Sequence, residues 1–79
     1  MAIVNFYAAS RAATGIESAV IVGASLGDVI ESAIAQFPEL GRIIQRCSYL
    51  VNEVATVDTT LIVSAEDRID VLPQFAGGA

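Results

Sequence analysis

The chain has 79 residues, which is enough for one small domain that buries about 60–65% of its unfolded surface but has no room for a cleft between two lobes. Nine acidic and four basic residues give a net charge of −5, and this charge disfavours binding to nucleic-acid phosphates. The composition is 54% hydrophobic, which excludes intrinsic disorder. Only 16% of the residues are charged, below the usual ~25%, so we expect part of the surface to be apolar and to contact a partner.

Several residue types are missing, and their absence excludes whole classes of chemistry. The chain has no histidine, so it has no imidazole base, no Ser-His-Asp triad and no ordinary zinc site. All four basic residues are arginines, which excludes a lysine Schiff base. The chain therefore carries no conventional catalytic apparatus of its own.

Cysteine usage and the first residues bear on the compartment. The single cysteine, Cys47, cannot form an intrachain disulfide, and residues 1–5 lack a basic signal region. No apolar run reaches the ~18–20 residues of a membrane span. We therefore expect a cytoplasmic protein that binds neither membranes nor nucleic acids.

The first third of the chain predicts a β-hairpin. Residues 3–8 are rich in strand formers and place Val4, Phe6 and Ala8 on one face. Residues 10–15 look like a turn, and residues 16–22 predict a second strand that pairs with the first.

A single long helix follows the hairpin. Ser25 and Asp28 form a capping pattern ahead of an apolar stripe at helical spacing, which consists of Leu26, Val29, Ile30, Ala33, Ile34 and Phe37. Pro38 ends the helix, and a shorter helical run from Glu39 puts Cys47 on its apolar face. We expect Cys47 to be an inert core thiol, because no histidine or lysine is present to lower its pKa.

The remainder predicts strands. Runs at residues 49–51, 54–57 and 59–63 indicate two or three short strands, and residues 68–73 a final one with Leu72 on the face opposite Ile69 and Val71. The acidic residues 66, 67 and 70 lack the spacing of a calcium loop and predict no metal site. The element order β-β-α-β-β-β predicts an α+β fold with a mixed sheet packed on one main helix.

The last six residues differ from the rest. We divide the chain into a domain at residues 1–73 and a flexible tail at residues 74–79. Phe75 offers an apolar anchor, and the slender Ala76, Gly77 and Gly78 can thread into a narrow site. From residue 73 to residue 78 the extended chain reaches about 20 Å. Taken alone, such a Gly-Gly pair favours a frayed terminus over a threading tail.

The whole chain resembles a known family, and the residues that carry the resemblance run from end to end. They are Phe6-Tyr7-Ala8, Arg11 and Gly15, then Arg46-Cys47-Ser48-Tyr49-Leu50, and finally the block from Asp67 to Gly78. The chain resembles the small, ubiquitin-like subunit of molybdopterin synthase, the MoaD branch of the MoaD/ThiS sulfur carriers. The resemblance implies a β-grasp fold.

The resemblance also implies a function at the C-terminus. An E1-like activating enzyme would adenylate the carboxylate of Gly78 with ATP, and a sulfur donor protein would convert it to a thiocarboxylate. The large subunit of molybdopterin synthase would admit the tail and transfer the sulfur to cyclic pyranopterin monophosphate. Catalytic side chains belong to the partner, so no bound cofactor or metal is implied for this chain.

The family's binding mode suggests which residues contact the partners. Phe75, Leu72 and Pro73 would anchor the carrier, Ala76 and Gly77 would thread the tail, and Arg11 and Arg68 would contact the partner at the periphery. Ala79 departs from the family pattern because the reactive terminus is glycine, so we expect a peptidase to remove it. Glu66 stands where the family often has glycine, which would cost on the order of 1 kcal/mol at positive φ.

Other functions use the same fold. A sulfur carrier for thiamine or cysteine synthesis would share the carboxylate chemistry and differ in the acceptor enzyme. A ubiquitin-like modifier would instead attach Gly78 to lysines of target proteins. A purely structural binding module would make no use of the tail.

Overall fold

The computed structural model describes residues 1–73. Within these residues there are five strands and two α-helices: β1 (Ala2–Phe6), α1 (Ala9–Thr14), β2 (Ser18–Ile21), α2 (Leu26–Gln36), β3 (Cys47–Val51), β4 (Val54–Thr56) and β5 (Arg68–Pro73). Two short 3₁₀ helices, Pro38–Arg42 and Ile44–Arg46, connect α2 to β3.

The five strands form one mixed sheet in the order β2-β1-β5-β3-β4. β1 pairs antiparallel with β2, as the predicted hairpin requires, and parallel with β5. β3 pairs antiparallel with both β5 and β4. The α+β class and the mixed sheet are therefore confirmed.

Helix α2 covers one face of the sheet, as its apolar stripe predicts. Its N-terminus is capped by Ser25, whose Oγ accepts a hydrogen bond of 3.2 Å from the Asp28 N–H. The core beneath it consists of buried residues from the helix and the inner sheet face, among them Leu26, Val29, Ala33, Val4, Phe6, Ile21, Ile69 and Val71. Phe37 follows the helix and packs edge-to-face on Phe6 at a centroid distance of 6.0 Å.

The segment after β1 is helical rather than a turn. Residues Ala9–Thr14 form α1, which closes with Gly15 in the left-handed conformation at φ 79°. Ala8, predicted to share the inner face of β1, is exposed and adopts φ 50°, so it turns the chain out of the strand. The apolar face of β1 is made of Ala2, Val4 and Phe6 instead.

The predicted strand at residues 59–63 does not form, because its backbone groups bind the start of α2 instead. The Thr59 carbonyl accepts from the Gly27 N–H, and the Leu61 carbonyl accepts from the Leu26 N–H, each at 2.8 Å. These bonds satisfy N–H groups that a helix N-terminus leaves unpaired. Ile62 makes an isolated antiparallel bridge with Ser25, which is too short to count as a strand.

The second helical run is also different from the prediction. The two 3₁₀ helices span residues 38–42 and 44–46, and Cys47 is the first residue of β3 rather than part of a helix. Cys47 is nevertheless half-buried and packs against the core, as an inert thiol should. Glu66 does not adopt positive φ, so the expected cost of a non-glycine residue there does not arise.

Candidate functional site at the tail-exit end

One end of the sheet leads into the C-terminal tail. Because β1 and β5 are parallel, their last residues lie at the same end, with Phe6 opposite Val71. β3 runs the other way, so Cys47 at its start lies opposite Pro73 at the end of β5. We call this region, made of Tyr7, Ser10, Cys47, Leu72 and Pro73, the tail-exit end.

A buried serine fixes the tail-exit end. Ser10, on α1, is fully buried, and its Oγ accepts a 2.8 Å hydrogen bond from the Tyr7 N–H. The same oxygen lies 2.8 Å from the Tyr7 carbonyl oxygen and 3.0 Å from that of Val71, so its hydroxyl can donate to either. The Ser10 side chain thus joins α1 to the ends of β1 and β5. Residue type alone does not predict this role, since serine side chains are mostly exposed in folded proteins.

Leu72 lies on the sheet face opposite Ile69 and Val71, as its position in the strand predicts. It pairs with Ser48 of β3 and is half-buried. Leu50, two residues along β3, shares this face and is also half-buried. The outer face next to the tail exit therefore offers apolar side chains, while the middle of β1 and β5 is polar, with Asn5 donating to Asp70 at 2.9 Å.

The arginines are divided between the two ends of the molecule. Arg11 follows Ser10 on α1 and lies near the tail exit, where its guanidinium is 3.9 Å from the exposed Glu17 carboxylate, too loose a pair to hold it. Arg68 begins β5, about 16 Å of strand away from Pro73. The structure therefore brings Arg11, but not Arg68, to the tail-exit end.

Arg46 is a further cation at this end that the sequence reasoning did not assign to the site. It immediately precedes Cys47, the residue opposite Pro73, and its side chain is exposed. Within residues 1–73 it forms no ion pair. Only the pairing of β3 with β5 puts Arg46 beside the base of the tail, and that pairing is not readable from residue types.

The thiol at the tail-exit end is not an activated nucleophile. Burial raises the pKa of Cys47, and its Sγ donates a 3.3 Å hydrogen bond to the Ile43 carbonyl. Burial, with a smaller contribution from Cys47, raises the pKa of Tyr49 to about 12. Both groups are protonated near neutral pH, so neither supplies a nucleophile or base. A shallow cavity of about 420 Å³ beside them is lined by Cys47, Ser48, Tyr49, Ala55, Thr56 and Val57.

The predicted tail residues Phe75, Ala76, Gly77, Gly78 and Ala79 lie outside the described residues, and their roles stay predictions. In the described part of the chain, no cluster of three or more acidic or thiol side chains could hold a metal ion. Likewise, none of the helices within residues 1–73 has the length and apolar character needed to cross a membrane.

Comparison with protein families identifies the class of protein. The model of the ThiS family matches residues 4–78, a span that includes both tail glycines. The chain therefore belongs to the ThiS family of ubiquitin-like sulfur carriers. Comparison with curated proteins gives no match.

Solved structures confirm the β-grasp fold. Small archaeal modifier protein 1 (SAMP1) from Methanosarcina acetivorans is 20% identical, with a TM-score of 0.84 over 91% of this chain and 90% of that one. CysO from Mycobacterium tuberculosis, an antigen, is 20% identical, with a TM-score of 0.77 over 92% and 98% of the two chains. A chain of the Amycolatopsis orientalis BexX/CysO complex is 18% identical, with a TM-score of 0.78 over 92% and 94%.

Proposed function

We propose that this protein carries sulfur on the C-terminal carboxylate of Gly78 after a peptidase has removed Ala79. An E1-like enzyme activates the carboxylate with ATP: a carboxylate oxygen bonds to the α-phosphorus, and pyrophosphate leaves. The outer sulfur of a persulfide on a donor protein then attacks the acyl carbon and displaces AMP, which gives an acyl disulfide. A second thiol attacks the donor's own sulfur, so the S–S bond breaks, the thiocarboxylate leaves and a disulfide remains on the donor. The observation that carries this proposal is the family match, which extends through Gly78.

The chemistry of the folded domain supports a carrier whose catalytic groups are supplied by other proteins. The chain has no histidine or lysine, and burial raises the pKa of its one thiol. A carrier needs none of these groups, because the carboxylate is the reacting group and the activating enzyme supplies the leaving group. The folded domain has to hold the base of the tail, which the Ser10 hydrogen bonds do.

Adenylation can be tested separately from sulfur transfer. The chain ending at Gly78 should support exchange of labelled pyrophosphate into ATP when it is mixed with the activating enzyme. A chain shortened by Gly77 and Gly78 should support none, while its circular dichroism spectrum stays unchanged. Equal exchange by the shortened chain would show that the tail is not the site of activation.

For the acceptor, we propose the large subunit of molybdopterin synthase, with cyclic pyranopterin monophosphate as the sulfur recipient. The support is the resemblance at Phe6-Tyr7-Ala8, Arg11 and the block ending at Gly78. Arg11 and Leu72 lie at the same end of the sheet as the tail base, where a partner that admits the tail would meet them. The enzymes of thiamine and cysteine synthesis are the competing acceptors.

The acceptor can be identified with the thiocarboxylated protein itself. It should convert cyclic pyranopterin monophosphate to the dithiolene product in the presence of the large subunit. Arg11→Ala should slow the reaction by raising the concentration of carrier needed, whereas Arg68→Ala, at the other end of β5, should have the smaller effect. Sulfur delivered to a thiazole or cysteine synthase instead, with no pterin product, would reassign the carrier.

Conjugation to proteins is a second candidate, because the similar SAMP1 is named a modifier protein. In that case the activated Gly78 would form an isopeptide bond with a lysine of a target. The chain itself has no lysine, so it cannot build chains linked through its own lysines. Isopeptide-linked species in a cell extract supplemented with the activating enzyme and ATP would support this candidate, and only free thiocarboxylate would oppose it.

A further inference from the structure

Strand β4 forms one edge of the sheet, and within residues 1–73 no strand pairs with its outer side. It is joined to β3 by a two-residue turn in which Asn52 and Glu53 have φ of 50° and 69°. In such a hairpin Val51 and Val54 exchange the hydrogen bonds that close the turn. Because the pattern alternates along an antiparallel pair, Ala55 directs its N–H and C=O away from β3. The edge thus offers free backbone groups.

An apolar groove lies beside this edge. Three large aliphatic side chains are exposed here: Val54 at 67%, Val57 at 95% and Ile62 at 75%. Val54, Leu61 and Ile62 line a groove of about 450 Å³ between β4 and the segment that binds the start of α2. A free strand edge with an adjoining apolar groove is the arrangement that takes up an extended peptide as an additional strand.

The charges around the groove indicate what kind of peptide fits. Glu53 and Asp58 flank β4 at its two ends, and Asp67 lines the groove, whereas none of the four arginines does. Hydrogen bonds from Thr60 lower the pKa of Asp58, and hydrogen bonds from Asn52 and Ser64 lower that of Asp67. The rim is therefore negative at neutral pH.

We propose that the β4 edge binds an extended segment of a partner protein, with apolar side chains at alternating positions and lysine or arginine at both ends. A second copy of this chain fits poorly, because antiparallel pairing of two β4 strands would bring Glu53 of each copy next to Asp58 of the other. The surface needs none of the tail residues, so it is independent of the carboxylate chemistry.

The test uses the full chain, labelled with ¹⁵N, and a synthetic peptide of sequence Lys-Val-Thr-Val-Thr-Val-Lys. Titration should shift the amide signals of residues 53–58 and 61–63 progressively. A peptide with glutamate in place of both lysines should bind roughly tenfold more weakly, because each rim charge pair then becomes repulsive. Shifts confined to the β2 edge or the outer sheet face, or none at all, would overturn the proposal.

Two substitutions test whether the peptide binds at the β4 edge rather than elsewhere on the surface. Ala55→Pro removes an N–H that points away from β3, so the hairpin keeps its bonds while the added strand loses one. It should weaken binding of the lysine peptide roughly tenfold. Val20→Ser, on the opposite edge where Val20 is 62% exposed, is the matched control and should leave binding unchanged. Equal loss in both variants, or self-association of the chain without peptide, would contradict a β4-specific partner site.

Discussion

The two ends of β5 are held by very different hydrogen bonds. At the tail-exit end, the fully buried Ser10 joins α1 to Tyr7 and Val71. At the opposite end, which we call the far end, Asp67 accepts from the Asn52 side chain at 2.9 Å and from the Ser64 N–H at 2.7 Å. These far-end hydrogen bonds are exposed to water.

This difference shows that β5 is held more firmly at the tail-exit end than at the far end. A buried hydrogen bond is costly to break because its groups cannot turn to water, whereas exposed ones exchange readily with solvent. The tail therefore leaves from a strand end that is fixed from inside the protein, and the far end is a set of solvated turns. We expect perturbations at the tail-exit end to cost more stability than those at the far end.

The largest expected effect is loss of the ring that lies at the end of β1. Phe6 is 1% exposed and packs on Phe37, so Phe6→Ala should lower the free energy of unfolding by about 3–5 kcal/mol. Val57→Ala, at a 95% exposed position, should change it by less than about 0.5 kcal/mol. Urea unfolding measures the free energy of unfolding of both variants. Similar losses would show that the buried ring at the end of β1 contributes no more stability than an exposed side chain.

The Ser10 hydroxyl should have the next largest effect. Ser10→Ala leaves the Tyr7 N–H without its acceptor and should cost about 1–3 kcal/mol. Ser18→Ala, at an exposed position of β2, is the control and should be close to neutral. A neutral Ser10→Ala variant would mean that the tail base is not fixed in this way.

Alkaline pH should weaken the fold through Tyr49. Burial raises the pKa of Tyr49 from its ordinary 10 to about 12. Between these values the unfolded chain releases the phenol proton and the folded chain keeps it, so stability falls as pH rises. Tyr49→Phe should flatten this alkaline limb of a pH series of unfolding curves. An unchanged alkaline limb in the variant would assign the loss to another group.

Acid should weaken the fold through the far end. The Asn52 side chain, followed by the Ser64 N–H, lowers the pKa of Asp67 below its ordinary 3.8. This contribution is present above that value and is lost as pH falls through the folded-state pKa. Carboxyl titration by NMR should show the pKa of Asp67 rising in Asn52→Gly, a change that suits the positive φ at that position. An unmoved pKa would exclude Asn52 as the main cause.

The smallest expected effect concerns sulfur itself. If sulfur is carried on the carboxylate, Cys47→Ala should leave the yield of thiocarboxylate unchanged, because the thiol is protonated and bonded to Ile43. Quantitative mass spectrometry of the loaded protein measures the yield. A loss of loading in this variant, with the fold intact, would make the thiol part of the chemistry.

The elements with clear periodicity were predictable from the sequence. The stripe from Leu26 to Phe37 and the Ser25 cap predicted α2, and the alternation around Ile69 and Val71 predicted β5 with its bounds. Helix α1 was not predicted, because residues 9–14 have no apolar stripe and are held by the buried Ser10. The segment at residues 59–63 has strand composition, but its carbonyls bind the start of α2, and composition does not reveal that competition.

The candidate site was predictable in part. The tail pattern and the outward position of Leu72 follow from local sequence. The neighbourhood of the tail base does not, since Ser10 and Arg46 reach it only through the pairing of β5 with β1 and β3. Arg68 is close to the tail in sequence, but the strand puts it at the far end of β5, and its predicted contact with a partner stays a prediction.

The most direct test of the carboxylate chemistry is the intact mass of two forms of the protein, one ending at Gly78 and one at Ala79. Each is incubated with the activating enzyme, ATP and a sulfur donor. We predict the mass gain of one oxygen-to-sulfur exchange in the Gly78 form alone. Gain by the Ala79 form without trimming would contradict the need for a terminal glycine. Gain by neither form, with an activating enzyme proven on another carrier, would contradict the sulfur-carrier function itself.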